Sequence, residues 1–344
     1  SVPGFPTKIT LKPFSGRISV SWVKPVNQGT SAITSYTVRA YSSPSGGSVT
    51  ASCVTTSKSC SITGLSNGST YWISVAAKNS SGTGNSSPRI SSTPPFFNPN
   101  DPYYVDTQLW GLNGTYGVQA QKAWLVTRGN QEIVVAVLDT GSTVHSDLEG
   151  QTVPGYDMIS DIDRAGDGDG RDSDPSDAGD FFGDKLSSWH GTHLAGIINA
   201  RGNNSRGVIG IAPNVKVQHV RVLGRDGGSD SDIVAAITWA SGGLVGSLPL
   251  NPTPARVINL SLGGEGVCPQ QYQTAINGAN SRGTVIVVAA GNSSVPASTF
   301  APANCDGVIT VAASNRYGQK TSFTNDGPAV DIAAPGEDIV STMN

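Results

Sequence analysis

The chain has 344 residues, 37% of them hydrophobic and 14% charged, with a net charge of −3. That is room for two globular domains with apolar cores, and it excludes a disordered polyelectrolyte. The absence of a basic run or stripe excludes an obvious nucleic-acid footprint, and no apolar run approaches the roughly 20 residues of a membrane span.

Residues 1–95 alternate apolar and polar positions in short runs separated by turn residues. Arg17-Ile-Ser-Val-Ser-Trp22 puts Ile18, Val20 and Trp22 on one face, and Ser35–Tyr41 and Thr70–Ala77 keep the same period of two. This pattern predicts a β-sandwich. Leu65, Gly68 and Tyr71 fit the tyrosine corner that pins such sandwiches. Ser1-Val-Pro-Gly-Phe-Pro reads as the middle of a linker, not as a signal peptide. Residues 96–105 lie in a proline-rich stretch that cannot continue a central strand, so they are read as the interdomain linker.

Residues 106–344 change register. Gln131–Leu138, Val215–Val222, Ala255–Ser261, Gly283–Ala290 and Gly307–Ala313 are near-continuous apolar runs, alternating with helical segments such as Asp232–Ala240 and Gln270–Asn280. Buried parallel strands between helices predict an α/β domain with a mainly parallel sheet. Active sites in such domains lie at the carboxyl ends of the strands. The four cysteines fall two to a region, and only the pairing Cys53–Cys60 and Cys268–Cys305 keeps both bridges inside a domain. Cys53 and Cys60 flank an expected hairpin turn. Paired cysteines with low charge suggest a secreted, extracellular protein; four buried thiols are the alternative.

Chemistry-bearing residues gather at the predicted strand ends. Asp139-Thr-Gly-Ser142 is open to two readings: one half of a two-carboxylate aspartic protease, or the buried acid that orients a histidine. No second Asp-Thr-Gly or Asp-Ser-Gly occurs, which counts against the first. His190-Gly-Thr-His193 opens an apolar helix; it could be a helix with incidental histidines, a zinc pair, or the site of a general base. Asn292 closes Ala289-Ala-Gly-Asn292 and could aim its amide at an oxyanion. Asn259-Leu-Ser-Leu-Gly-Gly264 offers backbone to an extended peptide.

Residues 1–95 resemble a fibronectin type III domain over nearly all of their length. Asp139-Thr-Gly, His190-Gly-Thr-His-Leu-Ala-Gly, Asn259-Leu-Ser-Leu-Gly-Gly and Ala289-Ala-Gly-Asn292 stand in the order and spacing of the subtilisin-like serine proteases, a resemblance spanning roughly residues 106–344. It implies a subtilisin-like α/β fold and hydrolysis of protein substrates, with Asp139 as orienting acid, His190 as general base, His193 as a structural neighbour and Asn292 as oxyanion donor. It also implies Gly227, Gly228, Ser261, Leu262 and Gly263 as the backbone that sandwiches substrate, and Phe300 near the pocket floor. Where the family's serine motif follows a segment like Ala334-Pro-Gly-Glu-Asp-Ile-Val-Ser-Thr342, the chain reaches Asn344, and no Gly-Thr-Ser-Met occurs. The chain is therefore read as a fragment cut at both ends and inactive by itself; Ser322 and Ser341 are poor substitutes for the nucleophile. The alternative function is a pseudoprotease or partner-binding module, with a surface or polymer as ligand of the N-terminal domain.

Calcium is the expected cofactor. By resemblance, one site uses Gln108, Asp147 and Asn204 with the carbonyls of Gly202, Arg206 and Val208. A second is suggested by the density of carboxylates in Ser160–Asp180, with Asp163, Asp167, Asp169, Asp172, Asp174 and Asp177 as ligands; a solvated acidic loop is the alternative.

Overall fold

Alternation becomes two packed sheets in the first compact unit, Ser1–Asn98. The computed structural model describes residues 1–14, 16–95, 97–181 and 186–344; Phe96, the first residue of the expected linker, lies outside them. The strands of this unit are β1 (Thr7–Phe14), β2 (Arg17–Val23), β3 (Ser35–Tyr41), β4 (Val49–Thr55), β5 (Ser59–Thr63), β6 (Tyr71–Asn79), β7 (Gly82–Thr83) and β8 (Ile90–Ser92). One sheet runs β1-β2-β5, the other β4-β3-β6-β7, with β8 also on β6. Ile18, Val20 and Trp22 pack with Val38, Ile73 and Val75 in a single core. Each such burial contributes about 1.5–3 kcal/mol. Ser66 N–H donates to the Tyr71 hydroxyl at 2.9 Å, which forms the expected corner.

The Cys53–Cys60 bridge is formed, but not across a hairpin. Its cysteines sit on β4 and β5, which belong to different sheets. The chain turns a corner at residues 56–58, and the bridge ties the two layers together.

In the second unit, Pro99–Asn344, the apolar runs become β9 (Val134–Asp139), β10 (Thr152–Asp157), β11 (Lys216–Arg221), β12 (Val257–Leu260), β13 (Gly264–Glu265), β14 (Val285–Ala289), β15 (Phe300–Ala301), β16 (Ile309–Ser314) and β17 (Ile332–Pro335). Seven of them form one parallel sheet, β10-β11-β9-β12-β14-β16-β17. Helices His190–Asn199, Asp230–Ala240 and Gln270–Ser281 accompany it. Val134, Ala136 and Leu138 of β9 pack with Ile233, Ile237 and Ile276 of the last two helices. The Cys268–Cys305 bridge is also formed. Asp101 and Tyr104, expected in the linker, are buried in this unit.

From β9 the sheet extends both ways, to β11 and β10 on one side and to β12 and its followers on the other. Such a switch leaves a crevice beyond the carboxyl ends of the central strands. Asp139 ends β9 at that crevice.

Candidate active site

Asp139 is fully buried, and the helix His190–Asn199 starts against it. His190 Nδ1 lies 2.9 Å from both carboxylate oxygens. Thr140 N–H donates to Asp139 Oδ1 at 2.8 Å, so the acid is also held from its own strand end. A carboxylate on Nδ1 fixes the tautomer whose Nε2 can accept a proton. The His190 side chain keeps 42% exposure while that of Asp139 has none. The Asp139 hydrogen bond raises the His190 pKa above its ordinary value; burial opposes the rise, and the Asp139 and Asp180 charges add to it.

The loop after β9 is tied to the same helix. Thr140 Oγ1 donates to Asp177 Oδ2 at 2.6 Å and accepts the Gly191 N–H at 3.0 Å. His193 behaves differently. Its Nε2 donates to the Ile339 carbonyl at 3.1 Å, and burial lowers its pKa. The two rings address different partners, and no third metal-type ligand joins them among the described residues.

Parallel strands bring their carboxyl ends to one edge, so Asn292, beyond β14, shares that edge with Asp139. Asn292 is exposed. The wholly buried Asn325 holds the loop on either side of it. Its Nδ2 donates to the Ala290 carbonyl at 2.9 Å, and its Oδ1 accepts from Ser293 N–H at 2.9 Å and Val295 N–H at 3.1 Å. Nothing in the sequence singled out Asn325, because one asparagine in Thr-Asn-Asp-Gly reads as a turn residue.

Gly227, Gly228, Ser261, Leu262 and Gly263 line one cleft of ≈ 480 Å³. A Cβ on Gly263 would come within 2.8 Å of the Phe300 ring, and one on Gly291 within 2.9 Å. Glycine at both positions lets that ring lie under the cleft segment. Ser341 Oγ donates to the His193 carbonyl at 2.6 Å, and the Ser322 carbonyl accepts the Ser294 hydroxyl at 2.6 Å. Neither serine is bonded to His190.

Asp147 is buried, with Oδ1 accepting from Asn204 Nδ2 at 2.7 Å and Oδ2 from Val208 N–H at 2.9 Å. Asp101, equally buried, accepts the N–H groups of Asn203 at 2.7 Å and Asn204 at 3.2 Å. Burial raises the Asp101 pKa against the pull of those donors, and the Asp147 charge adds to the rise. Neither carboxylate has an ion-pair partner among the described residues. Nor do the Gly202, Arg206 and Val208 carbonyls accept a backbone N–H there. Two buried carboxylates that share Asn204 and have no ion-pair partner among the described residues fit a hard cation.

Gln108, in contrast, is exposed. The structure also brings Asp101, which the expected ligand set lacks, to the same Asn204 that Asp147 holds. Asn204 Oδ1 accepts the Arg206 N–H at 3.0 Å, which leaves one of its two lone pairs for a further ligand.

The six aspartates expected at a second site do not converge. Asp167 pairs with Arg221 at 2.5 Å, and Asp177 takes the Thr140 hydroxyl. Asp174 accepts its own Ser176, Asp172 caps Asp174 N–H, and Asp163 and Asp169 are exposed. No three metal-type ligands gather among the described residues. Arginine, threonine and local turns engage four of these carboxylates, Asp167, Asp172, Asp174 and Asp177.

A parallel sheet with a buried acid and a histidine at its switch point is the architecture of a subtilisin-like hydrolase. Residues 130–344 match the subtilase family and residues 6–93 the fibronectin type III domain. The chain belongs to the subtilase family of serine proteases and carries an N-terminal fibronectin type III domain. It is 49% identical over 255 residues to an extracellular protease of Xanthomonas campestris pv. campestris, covering 72% of this chain and 44% of that protein. An extracellular basic protease of Dichelobacter nodosus is 44% identical over 259 residues, covering 72% and 43%. Among solved structures, a protease from Pseudoalteromonas arctica PAMC 21717 matches with a TM-score of 0.66 and 48% identity, over 69% of this chain and 72% of that one. The chain thus spans less than half the length of these two curated relatives. No helix among the described residues is long and apolar enough to cross a membrane.

Proposed function

We propose that the chain is part of a secreted serine endopeptidase, in which His190 removes the proton from a serine hydroxyl supplied from outside residues 1–344. The observation that carries this reading is the bond of His190 Nδ1 to both oxygens of the buried Asp139, with the ring still half-exposed. Asp139 holds the tautomer and stabilises the imidazolium; it does not take the proton. Asn292 donates to the oxyanion, a contact worth about 3–4 kcal/mol of barrier. The cleft at Ser261–Gly263 and Gly227–Gly228 receives the peptide in extended form.

Calcium bound by Asp101, Asp147 and Asn204, with the carbonyls of Gly202, Arg206 and Val208, would neutralise two buried charges and fix the loop. Residues 1–344 alone bind peptide without cutting it. The test is hydrolysis of a fluorogenic peptide by a product of the same gene extended beyond Asn344. Activity should fall about 10⁴-fold in Asp139→Asn, which presents the wrong tautomer. It should also fall as pH drops through the raised His190 pKa. An extended, folded product that binds peptide and never cleaves it would establish the pseudoprotease instead.

A further inference from the structure

Residues 1–98 contain eight lysines and arginines and no aspartate or glutamate. Sheet geometry concentrates part of that charge. With Ile18, Val20 and Trp22 buried, the alternate residues of β2 face outward, and the same holds on β1 and β5. Register then sets Lys12 beside Ser19 and Ser61, Thr10 beside Ser21 and Ser59, and Phe14 beside Arg17 and Thr63. Ser19 and Ser61 join hydroxyls at 2.9 Å. Lys12 and these four serines line a shallow groove of ≈ 360 Å³. Exposed Lys58 adjoins Ser59 at the turn, and exposed Lys24 adjoins Val23 at the end of β2.

We propose that this outer face of β1-β2-β5 binds a carboxylated or sulfated polysaccharide. The charge is of one sign, with no acid in the domain to repel a polyanion or compete for its cations. Between the cations lie rows of serine and threonine hydroxyls, able both to donate to and accept from sugar hydroxyls. The face is open, so it suits a chain laid across it. Single-stranded nucleic acid is the poorer match, because its bases need aromatic stacking platforms and the groove is lined by serine, lysine, valine and cysteine. The domain thereby holds the protein at an anionic matrix, independently of any cleavage.

The experiment uses the 344-residue chain with polygalacturonate, neutral galactan and a short DNA duplex as probes, read by affinity electrophoresis and calorimetry. Binding to polygalacturonate is expected, with none to galactan. Affinity should fall at least about tenfold between about 50 and about 200 mM salt, as counterion release requires. Lys12→Glu should lower it at least about tenfold, whereas Lys78→Glu, the same charge change on β6 of the other sheet, should lower it less than about threefold. Both positions are solvent-exposed, so the fold is not at risk. Equal loss in both variants would mean that net charge and not this face binds, and the proposal falls. It falls likewise if polygalacturonate does not bind, or if the duplex binds as tightly. No outcome depends on proteolysis, so the protease reading stands or falls separately.

Discussion

The two units are built from opposite electrostatic material. The first has eight basic and no acidic residues, whereas Pro99–Asn344 has 14 basic against 25 acidic. Burial differs as sharply. The polar residues buried in the first unit, Asn67, Ser74, Asn79 and Ser87, are all neutral. The second unit buries Asp101, Asp139, Asp147, Asp157, Asp177, Asp232, His219 and Arg221. Buried charge is costly unless paired, hydrogen-bonded or given a cation. In the second unit Asp139 is hydrogen-bonded to His190 and Asp157 is paired with Arg221, whereas Asp101 and Asp147 accept only N–H groups. The sandwich keeps its charge outside, as a binding surface would.

Breaking the pairing of Arg221 should separate the units most. Its guanidinium lies 2.6 Å from Asp157 and 2.5 Å from Asp167, and it also donates to the Ala165 carbonyl. Arg221→Met leaves Asp157 buried without an ion-pair partner, holding only the Ile159 N–H, and costs about 3–5 kcal/mol. In a calorimetric scan only the transition of the second unit should move.

Acid should act next. His219 is buried, and burial lowers its pKa to about 4 against the upward pull of a backbone hydrogen bond with Gly141. Its folded pKa lies below the unfolded value near 6.5, so the unfolded chain takes the proton first as pH falls. Stability is complete above 6.5 and drains between 6.5 and about 4, by about 3 kcal/mol. His190, with its raised pKa, runs the other way: its contribution is present at low pH and is lost as pH rises through that pKa. All four histidines lie in the second unit. His219→Leu should flatten the acid limb of that unit's melting curve, and no histidine limb should exist for the first.

Calcium should sharpen the contrast further. At 100 times its dissociation constant it stabilises the second unit by about 2.7 kcal/mol, and a chelator or Asp147→Asn removes that increment while the first unit melts unchanged. The smallest effect belongs to the sandwich. Tyr71→Phe loses the acceptor for Ser66 N–H and costs about 1 kcal/mol in the first unit alone.

Legibility followed the same divide. Period-two runs in the sandwich and the long apolar run into Asp139 state their own burial, and both became strands. β10 was illegible because Pro154 and Gly155 interrupt it; the structure absorbs them in a register shift between Val153 and Tyr156. Asp101 escaped notice because Asn-Asp-Pro reads as coil, and its burial depends on residues about a hundred positions away. Asp139 and Asn292 were visible only as motifs at strand ends, and His190 only as a motif at a helix start. The whole-chain charge of −3 concealed the segregation between the units. Composition had to be counted by domain to reveal it.

We propose that the Asp139–His190 pair activates a serine supplied beyond Asn344. A fluorophosphonate probe tests it directly, comparing this chain with a gene product extended by about 80 residues, a length set by typical domain sizes. The account predicts that only the extended protein is labelled, and that His190→Ala abolishes the labelling. A folded extended protein that remains unlabelled would contradict it.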